Sequence, residues 1–300
     1  MSSWDIKISS EEDLKLLDKY PQKNFILTDD IYLKDNRYIP EFITDYISII
    51  NRSPFAECFE GILDGSGHTI HGLKIGSKYS EYSGFIVKNK GTIKNLNLDG
   101  VRIISEKDAA GLVNSNYGKI KNCFVSGCIM GEQNSAGIGV INEGKINNCE
   151  FNGELHGDLR SGGIVSTNNN KVNKCCSSGT IRGSVSIGGI ASLNHGDIEL
   201  CSSDIIARDG EGPGRVIGGL VSHNSGNLTS SYFSGSIDVV PSSFTPEGLL
   251  TGQNSGEINN CYAGENDDFS LIGLNMGEHN NIDMVDDLES IDKVILAGSI

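Results

Sequence analysis

The chain has 300 residues, of which 24 are Lys or Arg and 39 are Asp or Glu, so its formal net charge is −15 at pH 7. This charge argues against nonspecific binding to nucleic acid or to anionic membrane surfaces. The length allows one large domain or two small ones, and 38 glycines against 6 prolines indicate many tight bends.

The N-terminal segment predicts a capped amphipathic helix. Residues 10–20 read SEEDLKLLDKY, in which Ser10 can act as the N-cap, acidic residues fill the first turn and leucines give one apolar side. No Sec-type signal peptide is visible, and no run of 18 apolar residues predicts a membrane span. We therefore leave the compartment open between the cytoplasm and export by a non-Sec route.

The next segments predict short strands. NFILTDDIYL and FEGILDGSGHTIHGLKI contain alternating apolar residues, with a turn from Asp64 to Gly67. The two histidines of the second segment, His68 and His71, are three residues apart in a strand-like run. We expect their side chains to diverge, so a shared metal ion is not predicted.

A motif then recurs seven times at spacings of 26 to 30 residues. Its first column is Asn89, Asn116, Asn142, Asn168, Asn194, Asn224 and Asn254. Two residues later stand Gly91, Gly118, Gly144, Asn170, Gly196, Gly226 and Gly256. Four residues after the Asn come Ile93, Ile120, Ile146, Val172, Ile198, Leu228 and Ile258. Seven residues after it come Leu96, Cys123, Cys149, Cys175, Cys201, Ser231 and Cys261.

This repeat predicts a solenoid. Each copy contains two or three short β segments and no stretch of helical periodicity, while leucine-rich repeats and propeller blades have other frames or lengths. Stacked coils of a parallel β-helix fit the period, and each column then becomes a ladder along the axis. We expect the Asn side chains to hydrogen-bond from coil to coil, the glycines to make the bend, and the aliphatic and Cys columns to fill the interior, the cysteines as reduced thiols.

The residues that follow the Cys column should point outward. They are Asn97, Phe124, Glu150, Cys176, Ser202, Tyr232 and Tyr262.

Two late repeats are four residues longer than the others. The extra length falls between one coil and the next, so the two loops should lie side by side on one edge of the solenoid. Arg208, Asp209, Glu211 and Arg215 from the first loop, with Phe244 from the second, form the candidate binding site. The alternative is that these are solvated loops without a function.

The sequence offers no catalytic constellation. The carboxylates of the repeats fall in different columns, the histidines at 156, 195, 223 and 279 share no phase with any Ser or Asp, and no metal or nucleotide motif occurs. We therefore predict no catalytic residues, no metal site, no cofactor and no enzymatic activity.

Copies such as GLVNSNYGKIKNCFVSGCI and GGLVSHNSGNLTSSYFSGSI carry the pattern most fully. The chain resembles the GLUG-motif repeat proteins over roughly residues 24–264. The resemblance implies a right-handed parallel β-helix of the kind found in bacterial surface proteins, adhesin-like proteins and large secreted peptidases, where the repeats themselves are not catalytic. It also implies a secreted or cell-surface location.

The fold expected from these observations is all-β: a right-handed parallel β-helix solenoid with an N-terminal capping helix and an irregular C-terminal cap. We predict one domain over 1–300, with a cap and irregular coils in 1–83, seven repeats in 84–264 and a C-terminal cap in 265–300. The predicted function is noncatalytic, adhesion-type binding of a protein or glycan through a solenoid side or the long-loop edge. The alternatives are a carbohydrate-active β-helix enzyme, such as a polysaccharide lyase or hydrolase, and an intracellular inhibitor, immunity protein or effector. Nucleic acid and membrane insertion are not expected, and the oligomeric state is left open.

Overall fold

The computed structural model describes residues 6–33, 55–77, 80–209, 215–239, 245–266 and 268–285. It is a solenoid of about eight turns, built almost entirely of parallel strands, with short helical structure near the N-terminus. The parallel β-helix prediction is therefore confirmed, while the handedness and the division into domains stay predictions. Among the described residues, no helix has the length and apolar character needed to cross a membrane.

The helices and the first coils occupy the N-terminal third. The helices are α1 (Glu11–Leu14) and α2 (Leu16–Lys19). The strands of this part are β1 (Ile6–Ile8), β2 (Phe25–Leu27), β3 (Ile31–Tyr32), β4 (Ala56–Phe59), β5 (Ile62–Asp64), β6 (Thr69–His71), β7 (Lys74–Ser77), β8 (Tyr82–Ser83), β9 (Ile86–Asn89), β10 (Thr92–Lys94) and β11 (Asn97–Ser105).

Each regular coil contributes four strands. The next three coils contain β12 (Asp108–Ala110), β13 (Val113–Asn116), β14 (Lys119–Lys121), β15 (Phe124–Gly131), β16 (Asn134–Ala136), β17 (Gly139–Asn142), β18 (Lys145–Asn147), β19 (Glu150–Gly157), β20 (Arg160–Gly162), β21 (Val165–Asn168), β22 (Lys171–Asn173) and β23 (Cys176–Gly183). The remaining strands are β24 (Ser186–Gly188), β25 (Ala191–Asn194), β26 (Asp197–Glu199), β27 (Ser202–Asp209), β28 (Val216–Gly218), β29 (Val221–Asn224), β30 (Asn227–Thr229), β31 (Tyr232–Phe233), β32 (Ser236–Asp238), β33 (Glu247–Asn254), β34 (Glu257–Gly264), β35 (Ser270–Asn275) and β36 (Glu278–Val285).

The strands stack into two sheets in which equivalent residues of successive coils pair. The first sheet contains a short-strand ladder (β10, β14, β18, β22, β26, β30) and a long-strand ladder (β11, β15, β19, β23, β27). The second sheet contains the strands that precede them in each coil, such as β20 and β21. Position within the repeat therefore decides which face of the molecule a side chain occupies.

The Asn ladder is confirmed. Each side-chain amide donates to the side-chain oxygen of the Asn in the next coil, at 2.8 Å from Asn89 through Asn254. A further bond of 2.9 Å joins Asn254 to Asn275, so the ladder continues one coil beyond the seven copies recognised in the sequence. Because the central amides are buried, these bonds supply the partners that water cannot.

The interior columns are also confirmed. The aliphatic column is at most 1% exposed, and the Cys column at most 3%. All eight cysteines are free thiols. Burial raises the pKa of Cys175 well above its ordinary value and that of Cys261 to about 12, so these thiols are poor nucleophiles.

The predicted bend at the Gly column is confirmed, since Gly118 and Gly144 lie in bends between strands. The left-handed backbone conformation lies four residues later, where Asn122, Asn148 and Lys174 have φ near +53°. Gly144 is also needed for close approach, because an added Cβ would collide with the Gly118 carbonyl oxygen of the preceding coil. Tyr262 is in register with Tyr232 and alternates with the core residues Cys261 and Ala263, but it is only 8% exposed, and Asn281 donates to its hydroxyl.

The ends of the solenoid differ in packing. At the N-terminus, Ser10 accepts from the Asp13 backbone N–H as the predicted N-cap, and Leu14 and Leu17 are fully buried. The predicted helix over 10–20 is divided at Lys15 into α1 and α2. The last coil, β35 and β36, keeps its register but leaves Leu274 43% exposed. It is therefore less tightly packed than the central coils.

Candidate functional site

The predicted long-loop edge is only partly within the described residues. Glu211 and Phe244 lie outside them, and only the backbone of Asp209 is described. Arg208 forms an exposed ion pair with Asp238 at 3.1 Å. Arg215 donates from Nε to the Glu247 carboxylate at 2.8 Å, and both of these side chains are largely buried. The two arginines thus have different partners, and whether the five residues form one site stays a prediction.

Arg215 leads directly into a groove on the outside of the second sheet. In each coil this sheet bends between two consecutive strands, for example between β24 and β25. A Cβ added at Gly188 would collide with the Ala191 carbonyl oxygen, so the two strands close toward each other on the solvent side. One wall of this groove carries Asp108, Asn134, Arg160 and Ser186, which occupy one column on successive coils.

The other wall carries the outward residues of the strands after the bend. These are Ser115, Ile141, Thr167, Leu193 and His223, all half-buried.

A hydroxyl network lies at the C-terminal half of this groove. Ser186 Oγ is 2.7 Å from Ser192 Oγ, 2.8 Å from Ser222 Oγ and 3.3 Å from His223 Nδ1. Ser222 Oγ is 3.1 Å from the same nitrogen and donates to the Val216 carbonyl at 2.8 Å. The three serines are at most 3% exposed, whereas the imidazole reaches the groove surface. Ser192 and Ser222 lie close together because serine recurs at the bend in successive coils.

Ser222 donates to the Val216 carbonyl and Ser186 donates to Ser222, while Ser192 has both the Ser186 hydroxyl and the Ser186 carbonyl within reach. This assignment of the hydroxyl protons makes His223 Nδ1 the N–H donor and leaves the lone pair on Nε2. Burial, followed by the positive charge of Arg160, lowers the pKa of His223. A neutral imidazole with an available Nε2 results, and neither serine is activated as a nucleophile by it.

The N-terminal half of the groove is acidic and amide-rich. Asn134 donates to the Asp108 carboxylate at 2.7 Å, and Asn114 donates to the Asp108 carbonyl at 3.0 Å. Burial raises the pKa of Asp108, while the Asn134 hydrogen bond and the charge of Arg160 oppose that change. Together with His223 Nε2, the groove offers acceptors at both ends and the exposed guanidinium of Arg160 between them.

A second polar cluster lies on the long-strand ladder of the first sheet. His71 Nδ1 is 3.1 Å from Asp99 Oδ2, and Ser126 donates to Asp99 Oδ1 at 2.6 Å. The hydrogen bonds from Ser126 and His71 hold the pKa of Asp99 below its ordinary value. The Tyr32 ring stacks on the imidazole at 4.5 Å. The Asp99 carboxylate at Nδ1 orients the imidazole of His71.

The contact of His223 with Ser186 was missed because the two residues lie on opposite sides of a bend, in different columns. His71 and Asp99 are register partners on β6 and β11, but the prediction considered only the histidines at 156, 195, 223 and 279. The prediction that these four share no phase with any Ser or Asp was wrong, because His195 and Ser225 follow the paired Asn194 and Asn224, and His195 Nδ1 is 2.6 Å from Ser225 Oγ. As predicted, His68 and His71 diverge, each with its own carboxylate. Among the described residues, no group of three His, Cys, Asp or Glu side chains is arranged to hold a metal ion.

Comparison with known proteins gives a fold and a short sequence match. A structure of a putative immunoglobulin A1 protease from Bacteroides ovatus is 18% identical, with a TM-score of 0.52, and the match covers 98% of this chain and 87% of the other. A structure named IgA1 Protease is 15% identical, with a TM-score of 0.58 over 96% of this chain and 22% of the other. Halomucin of Haloquadratum walsbyi (strain DSM 16790 / HBSQ001) is 32% identical over 77 residues, which are 25% of this chain and 1% of halomucin. No family model matches, so the resemblance to GLUG-motif proteins is not confirmed.

The comparison with solved structures contradicts the prediction that the chain is not an enzyme. Both structures are named as proteases, and proteases are enzymes. The prediction depended on carboxylates in one column and on sequence motifs, and it did not consider a histidine paired with a carboxylate on the next coil, as His71 is with Asp99. At 18 and 15% identity the likeness establishes the β-solenoid fold.

Proposed function

We propose that the chain is the β-solenoid module of a protease-like protein and that it binds a protein partner in the second-sheet groove. The observation that carries this proposal is the groove with its alternating acceptors and donor, Asp108, Arg160 and His223 Nε2. Half-buried apolar residues, Ile141 and Leu193, lie between these polar groups. A peptide segment supplies matching N–H and C=O groups together with apolar side chains.

The Arg215–Glu247 ion pair extends the same surface. It is largely buried and lies next to β28, the groove strand that follows Arg215. We place the partner across the groove and this ion pair, and the names of the two solved structures make immunoglobulin A1 a rational first partner to test.

The test is a binding titration with a matched control. Thr167→Arg places a long cation in the middle of the groove, and Asn152→Arg places the same cation on the exposed long-strand ladder. We expect the first variant to weaken binding of immunoglobulin A1, or of another protein identified with the intact chain, by at least about tenfold. The second variant should bind as the intact chain does. Equal effects of the two variants would refute the groove.

A second candidate function is hydrolysis by this chain of a protein that contacts the first sheet at His71, separate from the second-sheet groove. It is favoured by the His71–Asp99 pair, in which the carboxylate orients Nδ1–H and leaves Nε2 to take a proton from water. The attacking water would add to the peptide carbonyl carbon, and the proton would pass to the leaving amine. We expect His71→Gln to abolish cleavage measured by mass spectrometry while leaving binding intact, and His195→Gln, at an exposed corner, to leave both unchanged. Cleavage that persists in His71→Gln would exclude this residue as the base.

A further inference from the structure

A line of lysines follows the outside of the short-strand ladder. Lys119 on β14 pairs in register with Lys145 on β18, which pairs with Lys171 on β22. In the neighbouring outward column, Lys94 pairs with Lys121. Because successive coils are about 4.8 Å apart, these five residues form one straight band, called here the lysine strip. It is basic although the protein as a whole carries a charge of −15.

The centre of the lysine strip is not neutralised by the protein. Lys94 pairs with Asp64 at 2.7 Å at one end, and Lys171 pairs with Glu199 at 2.7 Å at the other. The side chains of Lys119, Lys121 and Lys145 are exposed, and none of them has a hydrogen bond or an ion pair to any residue that the structure describes. Three free ammonium groups therefore lie together between two that are paired.

The fold does not require lysine at these positions. Like charges on directly opposed strand residues are destabilising, and later coils place Asp197, Asn227 and Glu257 in the column that holds Lys119 and Lys145. The lysines thus oppose stability without serving the packing of the coil. Such a charged band is expected where an anionic ligand supplies the missing counter-charge.

We propose that the lysine strip binds an acidic polysaccharide chain that runs parallel to the solenoid axis. A linear glycan with an acid group on its repeating units matches a straight row of evenly spaced cations. Tyr117, whose ring is 53% exposed, precedes Lys119 by two residues at the adjacent corner, with Lys88 Nζ 5.9 Å from its ring centroid. An exposed aromatic ring beside the cations favours a sugar over a simple anion, because sugar rings stack on aromatic faces.

The same columns limit the length of the ligand. Beyond Lys171 the outward residues become acidic, with Asp197 and Glu199 on β26 and Glu257 on β34. A polyanion is repelled there, so the site covers the four coils from β10 to β22, and it is separate from the groove of the second sheet. The result of testing the lysine strip therefore does not affect the proposed protein-binding function.

The experiment compares two triple variants with the same change in net charge. Lys119→Gln, Lys121→Gln and Lys145→Gln together remove the free centre of the lysine strip. Lys15→Gln, Lys19→Gln and Lys23→Gln together remove three lysines of the N-terminal segment. Binding of short oligogalacturonates and of heparin oligosaccharides is measured by calorimetry at low salt, so that carboxylate and sulfate glycans are distinguished, with neutral dextran as the blank. Circular dichroism verifies that each variant is folded.

We expect the intact chain and the control variant to bind one of the two acidic glycans, with an affinity that falls as salt rises. The strip variant should lose roughly a hundredfold in affinity. Tyr117→Ala should weaken binding without reducing its salt dependence. Equal binding by both triple variants, or no binding by the intact chain, would overturn the proposal.

Two further outcomes would also overturn it. Single-stranded DNA of matched charge that binds the strip more tightly than either glycan would identify a nucleic-acid site instead. Sedimentation of the intact chain as a dimer that the strip variant dissociates, without glycan binding, would show that the lysines pair with the acidic half of a second copy.

Discussion

Replacing one central asparagine of the ladder should cost much more stability than replacing the terminal one. Asn142 donates to Asn168 at 2.8 Å, accepts from Asn116 at 2.8 Å and accepts from the Gly144 backbone at 3.3 Å. In Asn142→Ala the Asn116 side-chain N–H group keeps only the longer bond to the Lys145 carbonyl at 3.5 Å, and the Asn168 side-chain oxygen keeps only the longer bond from the Asn170 N–H at 3.4 Å. The Gly144 N–H and the Lys171 carbonyl each lose their bond to the Asn142 side chain. Since a buried polar group without a partner costs about 1–3 kcal/mol, the free energy of unfolding should fall by roughly 2–6 kcal/mol.

Asn275→Ala is the matched control. Asn275 is exposed and accepts from Asn254 at 2.9 Å and from the Gly277 backbone N–H at 3.2 Å, and Asn254 keeps bonds to the Gly256 carbonyl at 3.2 Å and to the Glu278 carbonyl at 3.5 Å. The expected loss is about 1–3 kcal/mol, the net value of two hydrogen bonds.

Denaturant titration should be monitored by far-UV circular dichroism, because Trp4, the one tryptophan of the sequence, reports on the N-terminus alone. Hydrogen exchange then shows which coils open first in each variant. Equal losses in Asn142→Ala and Asn275→Ala would refute the reasoning that buried amide pairing stabilises the central coils.

Three other outcomes follow from the same structure. Ile146→Ala, in the fully buried column, should lower the free energy of unfolding by about 2–5 kcal/mol. Ile282→Ala, half-buried in the last coil, should lower it by less in the same titration. The reverse order would show that the assigned repeat register is wrong. Cys175 should resist a thiol reagent in the native protein and react after denaturation, because burial raises its pKa; rapid native reaction would show that the column opens. The His223 pKa is lowered by burial, so the unfolded chain binds a proton first and stability should fall as pH drops below about 6.5. His223→Gln should remove this part of the pH dependence, and an unchanged profile would contradict a buried neutral imidazole.

The sequence alone determined the architecture because the same pattern of apolar and polar positions recurs in seven copies. A column such as Ile120, Ile146 and Val172 stays aliphatic in every copy and must therefore be interior. The Asn side chains of successive copies stack directly on one another, so each amide has the next Asn as its hydrogen-bond partner. When coils stack, equivalent positions of successive repeats become neighbours. The register predicted from the repeat therefore agrees with the observed strand pairing.

The tertiary structure decided the contacts between different columns and the exact backbone conformation of the corners. The glycines bend the chain as predicted, but the left-handed residues lie four positions later, and Gly144 also allows close approach to the preceding coil. His223 meets Ser186 only because the second sheet bends between their strands, whereas His71 and Asp99 meet as register partners on β6 and β11. Periodicity fixes which residues repeat along the axis, whereas the distance between two columns depends on how each coil turns, and that is set by backbone geometry that the repeat does not encode.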